Sequence, residues 1–345
     1  MKKQTKKTIY IAGAGGYIGS MMVEFFLKKG HNVIALDRFY FGNTLQDLET
    51  NRNLKIIRDD IRSFNPKLLN GVDVVINLAS ISNDPASELN PAATMSINYE
   101  GAVRLAKLAS RAKVKNYIFS SSCSVYGVGK DIVDENSQTQ PVSEYARSKI
   151  AAEKALLNLA SSRFCVTIFR IATAYGLSPR RMRFDLIVNL MTLHAWKNKK
   201  IFILGGGRQW RPLIHIKDAI SSFDLIMIKN KKLINRQIFN VGSNDQNFQV
   251  YQVANIIKKH FPEVTIDVTP DDPDNRSYRV NFNKFSNSFN FKPKKTIEDG
   301  IREIKSALEK GEITDEIKTN TSWYYRYLIE ADNLLSSLKL KGKLF

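Results

Sequence analysis

TIYIAGAGGYIGSMMVEFFLKKG, residues 8–30, holds a strand, a turn and a helix in one run. Residues 8–14 form a short apolar run ending in glycine, the pattern of a buried strand. From Gly16 to Lys29 the apolar positions follow helical spacing, and Gly30 closes the segment as a C-cap. Between them Gly13, Gly16 and Gly19 are spaced G-x-x-G-x-x-G, with Gly15 added. Glycine lets such a turn bend sharply and approach a pyrophosphate, while the helix N-terminus, here Tyr17 and Ile18, offers free N–H groups and a positive dipole end. Asp37 ends the next strand about twenty residues on, where a carboxylate binds the adenosine ribose hydroxyls and repels a 2′-phosphate. Arg38 beside it partly offsets that repulsion, and the balance favours NAD over NADP. Asp60 and Ile61 end a third strand and are placed to meet the adenine.

The alternation continues outward. Apolar runs at 32–37, 54–60, 72–80, 115–122 and 164–172 read as strands, and helical patterns lie between them, one near 95–111 and one containing Tyr145. Continuous apolar strands alternating with helices specify an α/β fold with a Rossmann-type, doubly wound parallel sheet. After about residue 175 the pattern turns irregular, with GLSPRRMRF (176–184) and LGGGRQWRP (204–212) among short strands and helices. One further buried-looking strand, QIFNVGS (237–243), is expected to return to the main sheet. The chain therefore divides into an NAD-binding domain over 1–175, a mainly substrate-binding smaller C-terminal lobe over 176–320, and a docking helix or tail over 321–345. The sequence carries no internal repeat.

The 345 residues are 43% apolar and 25% charged, ordinary values for a soluble globular protein. No apolar run approaches the roughly 18 residues of a membrane span, and the basic start runs into a glycine turn rather than a cleavage site, so neither an integral membrane segment nor a signal peptide is expected. Cys123 and Cys165 cannot build a disulfide framework, and four scattered histidines offer no metal spacing, which fits a reducing cytoplasm and no metal. A lysine-rich surface explains the net charge of +19. A polyphosphate-bearing substrate or an anionic membrane surface would use the same charge. Dispersed Lys and Arg without a binding module argue against nucleic acid.

SEYARSK, residues 143–149, places Tyr145 and Lys149 four apart on one helical face. By itself that spacing also fits an ordinary amphipathic helix. Its company is SSCSVYG at 121–127, ending one strand, and FRIATAYG at 169–176, ending the next. With the glycine turn, this ordered set resembles the extended short-chain dehydrogenase/reductase family, most closely its NAD-dependent nucleotide-sugar epimerase/dehydratase group, over residues 8–310. The resemblance implies that Tyr145 takes the proton when a sugar carbinol loses hydride. A phenol near its ordinary pKa of ~10 is a poor base, and a neighbouring ammonium favours the phenolate. Lys149 is implied to do this and to hold the nicotinamide ribose, with Ser122 orienting the substrate and relaying the proton. Further implied cofactor contacts are Leu78, Ala79, Ser80, Asn98 and Ala172, besides Tyr145 and Lys149. The implied substrate is a nucleotide-diphosphate sugar, and a homodimer through a helix pair is expected.

Family members oxidise the sugar at C4 and then diverge. Where 4,6-dehydratases resemble Thr-Asp-Glu, this chain has Ser122-Cys123-Ser124, and a thiol and a hydroxyl replace that acid–base pair poorly. Dehydration is therefore disfavoured. The expectation is a 4-epimerase in glycan-precursor biosynthesis, with a 4-dehydrogenase or keto-sugar reductase, GDP-heptose types included, as the alternative; a silent NAD(H)-binding regulator would lack the Tyr–Lys pair. Arg211 matches the family arginine that meets the diphosphate, and Arg276 and Arg279 join it as candidates because a guanidinium fork binds phosphate oxygens bidentately. Asn189 is a substrate candidate, and which of Arg180, Arg181 and Arg183 corresponds to family positions stays open. Thr173 stands at a substrate-contacting position where asparagine is common, Asn77 replaces a common histidine, and Asp272 falls near a usual arginine.

Overall fold

Runs of β-branched and aromatic residues with no polar face can only be buried on both sides, and they form one sheet. In this computed structural model, which describes residues 5–270, 276–340 and 342–343, its strands are β1 (Thr8–Ala12), β2 (Asn32–Asp37), β3 (Leu54–Arg58), β4 (Val74–Asn77), β5 (Asn116–Ser122), β6 (Cys165–Ile171) and β7 (Gln237–Val241). They are all parallel, in the order β7-β6-β5-β4-β1-β2-β3. Successive side chains feed opposite faces: Ile9 and Ile11 join one core with Phe26 and Phe169, while Tyr10 and Ala12 join the other with Tyr117 and Phe119. Each such fully buried aromatic or aliphatic side chain contributes ~1.5–3 kcal/mol of transfer free energy. The expected return strand is present: β7 pairs with β6 in register from Gln237 opposite Thr167 to Val241 opposite Ile171.

Helix α1 (Tyr17–Lys28) follows the glycine turn and buries Met22, Val23 and Phe26. It ends where read, with Gly30 N–H donating to Leu27 O and His31 N–H to Phe26 O, the paired bonds of a Schellman cap. The helix expected near 95–111 is interrupted. A one-turn π segment, Ser96–Gly101, separates a short helix from α2 (Ala102–Arg111). That wide turn buries Asn98, whose carboxamide accepts from Ile81 N–H at 2.8 Å and donates to Ile81 O at 3.1 Å. Asn98 thus sets the loop after β4, a use of π segments common near functional sites.

Helix α3 (Glu144–Leu159) carries Tyr145 and Lys149. Glu153, one turn further on the same face, makes a buried ion pair with Arg170 of β6 at 2.7 Å and accepts from Ser121 of β5. This fixes α3 against both strands, since a buried charge must keep its partner. The remainder of the chain builds small sheets around α4 (Ile187–Asn198). Trp210–His215 pairs with Thr173–Tyr175 and Asn247–Gln249, and Ser277–Val280 pairs with Val128–Val133. The C-terminal segment forms α5 (Thr321–Leu338), and Tyr324 of its first half donates to Tyr40 O at 2.9 Å.

Candidate active site

The sheet order reverses between β1 and β4, and ligands of open α/β sheets settle beyond the strand ends at such a reversal. The turns after these two strands touch. A Cβ on Gly13, whose φ is +81°, would stand 2.7 Å from Ala79 N, and one on Gly19 would overlap Gly13 O and sit 2.9 Å from Ala14 Cα. Any side chain here would force the turns apart and push α1 off β1. Gly13, Gly16, Tyr17 and Ile18 line a cavity of about 1200 Å³, larger than the ~300–1000 Å³ of a usual single-ligand pocket. Gly19 does not line it; its role is the close approach of helix and strand. No side chain caps α1 at Gly16, so its first-turn N–H groups remain available to an anion.

Asp37, Arg38, Asp60, Ile61, Leu78, Ala79, Ser80 and Ala172 all line the same cavity. Asp37 accepts from Gly15 N–H at 2.9 Å and Phe39 N–H at 2.6 Å; burial raises its pKa, and these hydrogen bonds oppose the rise. Arg38 turns from Asp37 to Asp60, at 2.9 Å, and Arg62 grips the same Asp60 carboxylate at 2.8 Å. The hydrogen bonds from Arg62 hold Asp60 well below the usual carboxylate range. Asp60 is therefore already saturated by guanidinium, and Arg38 is not aimed at a 2′-phosphate site. Asn98 lies behind the cavity wall and acts through Ile81 rather than lining it. The residues present fit a dinucleotide without a 2′-phosphate: a glycine cradle, an uncapped helix start and a half-buried carboxylate at the end of β2.

Ser122, Tyr145 and Lys149 meet in the cavity next to this cradle. Asp84 receives the Ser143 hydroxyl, and Tyr145 N–H donates to Ser87 Oγ at 3.0 Å, so the 84–87 segment seats the start of α3. Lys149 Nζ lies 5.5 Å from the Tyr145 ring centroid and donates to Ser120 O at 2.8 Å. Burial drives the Lys149 pKa down to about 7, with Glu153 acting against it. Burial also raises the Tyr145 phenol above its ordinary value, opposed first by the hydrogen bond with Ser122. Ser122 Oγ in turn donates to Ser124 Oγ at 3.1 Å. The Tyr145 phenol and the Lys149 ammonium, both buried, and the half-buried Ser122 hydroxyl thus stand together at the cavity wall.

The expected substrate residues separate into two sets. Thr173, Arg211 and Arg276 line the cavity. Arg211 donates to the backbone oxygens of Trp210 and Arg276, and Arg276 pairs with Asp84. Arg279 does not line it: along Ser277–Val280 side chains alternate, so Tyr278 faces the cavity while Arg279 packs 5.1 Å from the Trp210 ring. Asn189 is wholly buried off the cavity, accepting from Gly176 N–H at 3.0 Å and donating to Tyr17 OH and Arg183 O. Its polar groups are spent on the fold. Asp272 lies outside the described residues.

A model of the NAD dependent epimerase/dehydratase family matches residues 9–242. The chain belongs to this family. Among its relatives, an uncharacterized UDP-glucose epimerase, YtcB, of Bacillus subtilis is 30% identical over 265 residues, covering 72% of this chain and 81% of the relative. The human dTDP-D-glucose 4,6-dehydratase is also 30% identical, covering 72% of each chain. The solved structure of a UDP-glucuronic acid 4-epimerase variant from Bacillus cereus, in complex with UDP-4-deoxy-4-fluoro-glucuronic acid and NAD, superposes with a TM-score of 0.78 at 25% identity, over 88% of this chain and 99% of that one.

Within this NAD-dependent family the chain departs at the strand end after β5. Cys123 is buried, its thiol donates to Arg170 O, and burial raises its pKa, so it supplies no acid to the cavity. Asn77, in place of the common histidine, donates to Tyr117 OH at 2.9 Å and accepts from Ala79 N–H at 3.1 Å, which holds the turn after β4. Sequence reading missed the pair Arg183–Asp185, at 2.8 Å, which lines the cavity. Arg183 also donates to Ser82 Oγ at 3.1 Å; Asp185 accepts from Asn83 at 2.7 Å and from the Thr321 N–H at 3.1 Å. Arg180 instead points away and binds Asp47 and Glu24. The cluster of arginines at 180–183 was the available signal, but only the fold says which of them turn inward.

Proposed function

We propose that the protein is a nucleotide-sugar 4-epimerase that works by transient oxidation at C4. The observation carrying this reading is the Ser122–Tyr145–Lys149 group, with Tyr145 and Lys149 buried, lining the same cavity as the glycine cradle, with Cys123 and Ser124 where a dehydratase needs two carboxyl groups. NAD supplies the reversible hydride acceptor. Tyr145 takes the C4 hydroxyl proton and returns it to the same oxygen once the ketose has turned its other face to the cofactor; Ser122 orients the reacting oxygen and relays the proton; Lys149 stabilises the phenolate. Arg211 and Arg276 hold the substrate diphosphate, and Thr173 borders the sugar. In this reading residues 1–175 bind the cofactor and the later segments select the sugar nucleotide, for a pathway making glycan precursors. Free, buried Cys123 and Cys165 fit a cytoplasmic enzyme, and among the described residues no helix is long and apolar enough to cross a membrane.

The test is incubation with a panel of UDP-, GDP-, CDP- and dTDP-sugars, following NADH absorbance and the NMR spectrum of the sugar together. A C4-inverted product without net NADH is expected; a ketosugar with stoichiometric NADH would make the protein a dehydrogenase instead. We also propose a homodimer, as the family resemblance implies. Light scattering should give twice the chain mass of 39.2 kDa, and a monomer mass would end that proposal.

A further inference from the structure

Arg181 is 5% exposed, yet it makes no ion pair among the described residues. Both neighbouring arginines hold carboxylates: Arg180 at 2.6 Å from Asp47 and Arg183 at 2.8 Å from Asp185. The Arg181 guanidinium lies 3.6 Å from the Phe41 ring centroid, and it donates to Met182 O and, at 3.2 Å, to Thr321 Oγ1 at the start of α5. Burial, with the like charge of Arg183, lowers its pKa to about 10, so it stays a cation at neutral pH. An enclosed cation whose bonded partners are all neutral, with Asp185 and Asp37 acting on it only through space, costs the apo protein stability unless a bound anion completes it.

Its surroundings say where that anion sits. Arg181 lines the cavity together with Gly13, Gly16 and Tyr17 of the phosphate turn, and it feels the charge of Asp185 and, more weakly, that of Asp37 at the end of β2. Phe41, on which it stacks, belongs to the loop after β2, and that loop packs under α5: the Phe41 ring centroid lies 5.3 Å from Tyr324 and 5.5 Å from Tyr325. Arg211 and Arg276 serve a different part of the cavity, beside Trp210 and Asp84.

We propose that Arg181 is the counter-charge for the cofactor's pyrophosphate, held in place by Thr321 and the aromatic face of α5, so that the C-terminal helix forms a wall of the dinucleotide site. The inference rests on the dinucleotide occupying the glycine-lined end of the cavity. A cation completing the phosphate turn strengthens cofactor retention, which suits a reaction that returns its hydride within one turnover. Charge-assisted bonds of this kind change affinity about tenfold to a hundredfold.

The test uses the full-length protein and calorimetric titration with NAD, ADP-ribose, UDP and adenosine, comparing wild type with Arg181→Met and Arg181→Lys. Arg181→Met should weaken NAD and ADP-ribose about tenfold or more, leave adenosine and UDP within about twofold, and not lower the melting temperature of the ligand-free protein. Arg181→Lys should recover part of the loss. Unchanged ADP-ribose affinity overturns the proposal. So does weakening of UDP alone, which would give Arg181 to the substrate, or a uniform loss with a lowered melting temperature, which would make it a packing residue. A wild-type protein that binds neither NAD nor ADP-ribose sinks the cofactor placement itself, a result distinct from any of these.

Discussion

Replacing Tyr145 by phenylalanine is expected to lower turnover about a thousandfold while leaving the fold and NAD affinity nearly unchanged, because a positioned acid–base group contributes ~10²–10⁴ in rate. The ring is 9% exposed and packs at the start of α3, so phenylalanine keeps the packing and removes only the hydroxyl. The Tyr145 backbone bond to Ser87 is untouched by the change, and so is the Asp84–Ser143 seat of the helix. Ser122 alone, an aliphatic hydroxyl, is no base at neutral pH. NMR of the sugar product measures the rate, and calorimetry with NAD checks the binding. Turnover equal to that of wild type would remove Tyr145 from the proton-transfer role.

Lys149→Met is expected to reduce turnover about a hundredfold and, in the ligand-free protein, to raise the melting temperature. The two effects have one cause. Lys149 is 2% exposed and stands among Phe119, Tyr145 and the Ser120 carbonyl, with the Glu153 carboxylate favouring its charged form. Burial lowers its pKa from 10.5 to about 7 in the folded protein. Between about pH 7 and pH ~10 the unfolded chain therefore binds a proton that the folded chain does not. Stability contributed by this group must rise with pH across that window and stay flat below it. Tyr145 works the other way only above pH ~10, where the unfolded phenol ionises and the folded one does not. Thermal melts from pH 6 to 10 check the sign: the rise should be present in wild type and absent in Lys149→Met. A variant with full activity, or with the same pH slope as wild type, would show that Lys149 is not the shifted, catalytically used ammonium.

Both residues illustrate a trade between stability and chemistry. A buried phenol and a buried ammonium lie on the unfavourable side of solvation, and among the described residues no carboxylate is bonded to Lys149. Glu153 lies near enough to moderate the cost but is bonded to Arg170 and Ser121. The cavity is therefore biased toward accepting polar ligands that complete these groups.

The glycine turn, the strand alternation, the return strand at 237–241 and the Tyr145–Lys149 spacing were all legible in the sequence because each depends on neighbours within a few residues or on the two simple periods of helix and strand. The expectation that Cys123 and Ser124 are poor dehydratase groups came instead from the family resemblance, which aligned them with a carboxyl pair. Only the tertiary structure decided which arginines serve the cavity. Arg276 meets Asp84 across 192 residues, Arg183 meets Ser82 across 101, and Asp185 meets Thr321 across 136, so no window of sequence contains both partners. Arg279 lost its expected role to strand alternation, and Asn189 lost its own to backbone groups that needed a partner once buried. A side chain's type states what it can bind. Which way it faces, and what has already claimed it, is settled by long-range packing, which is what brought Arg181 to the cavity wall beside the last helix.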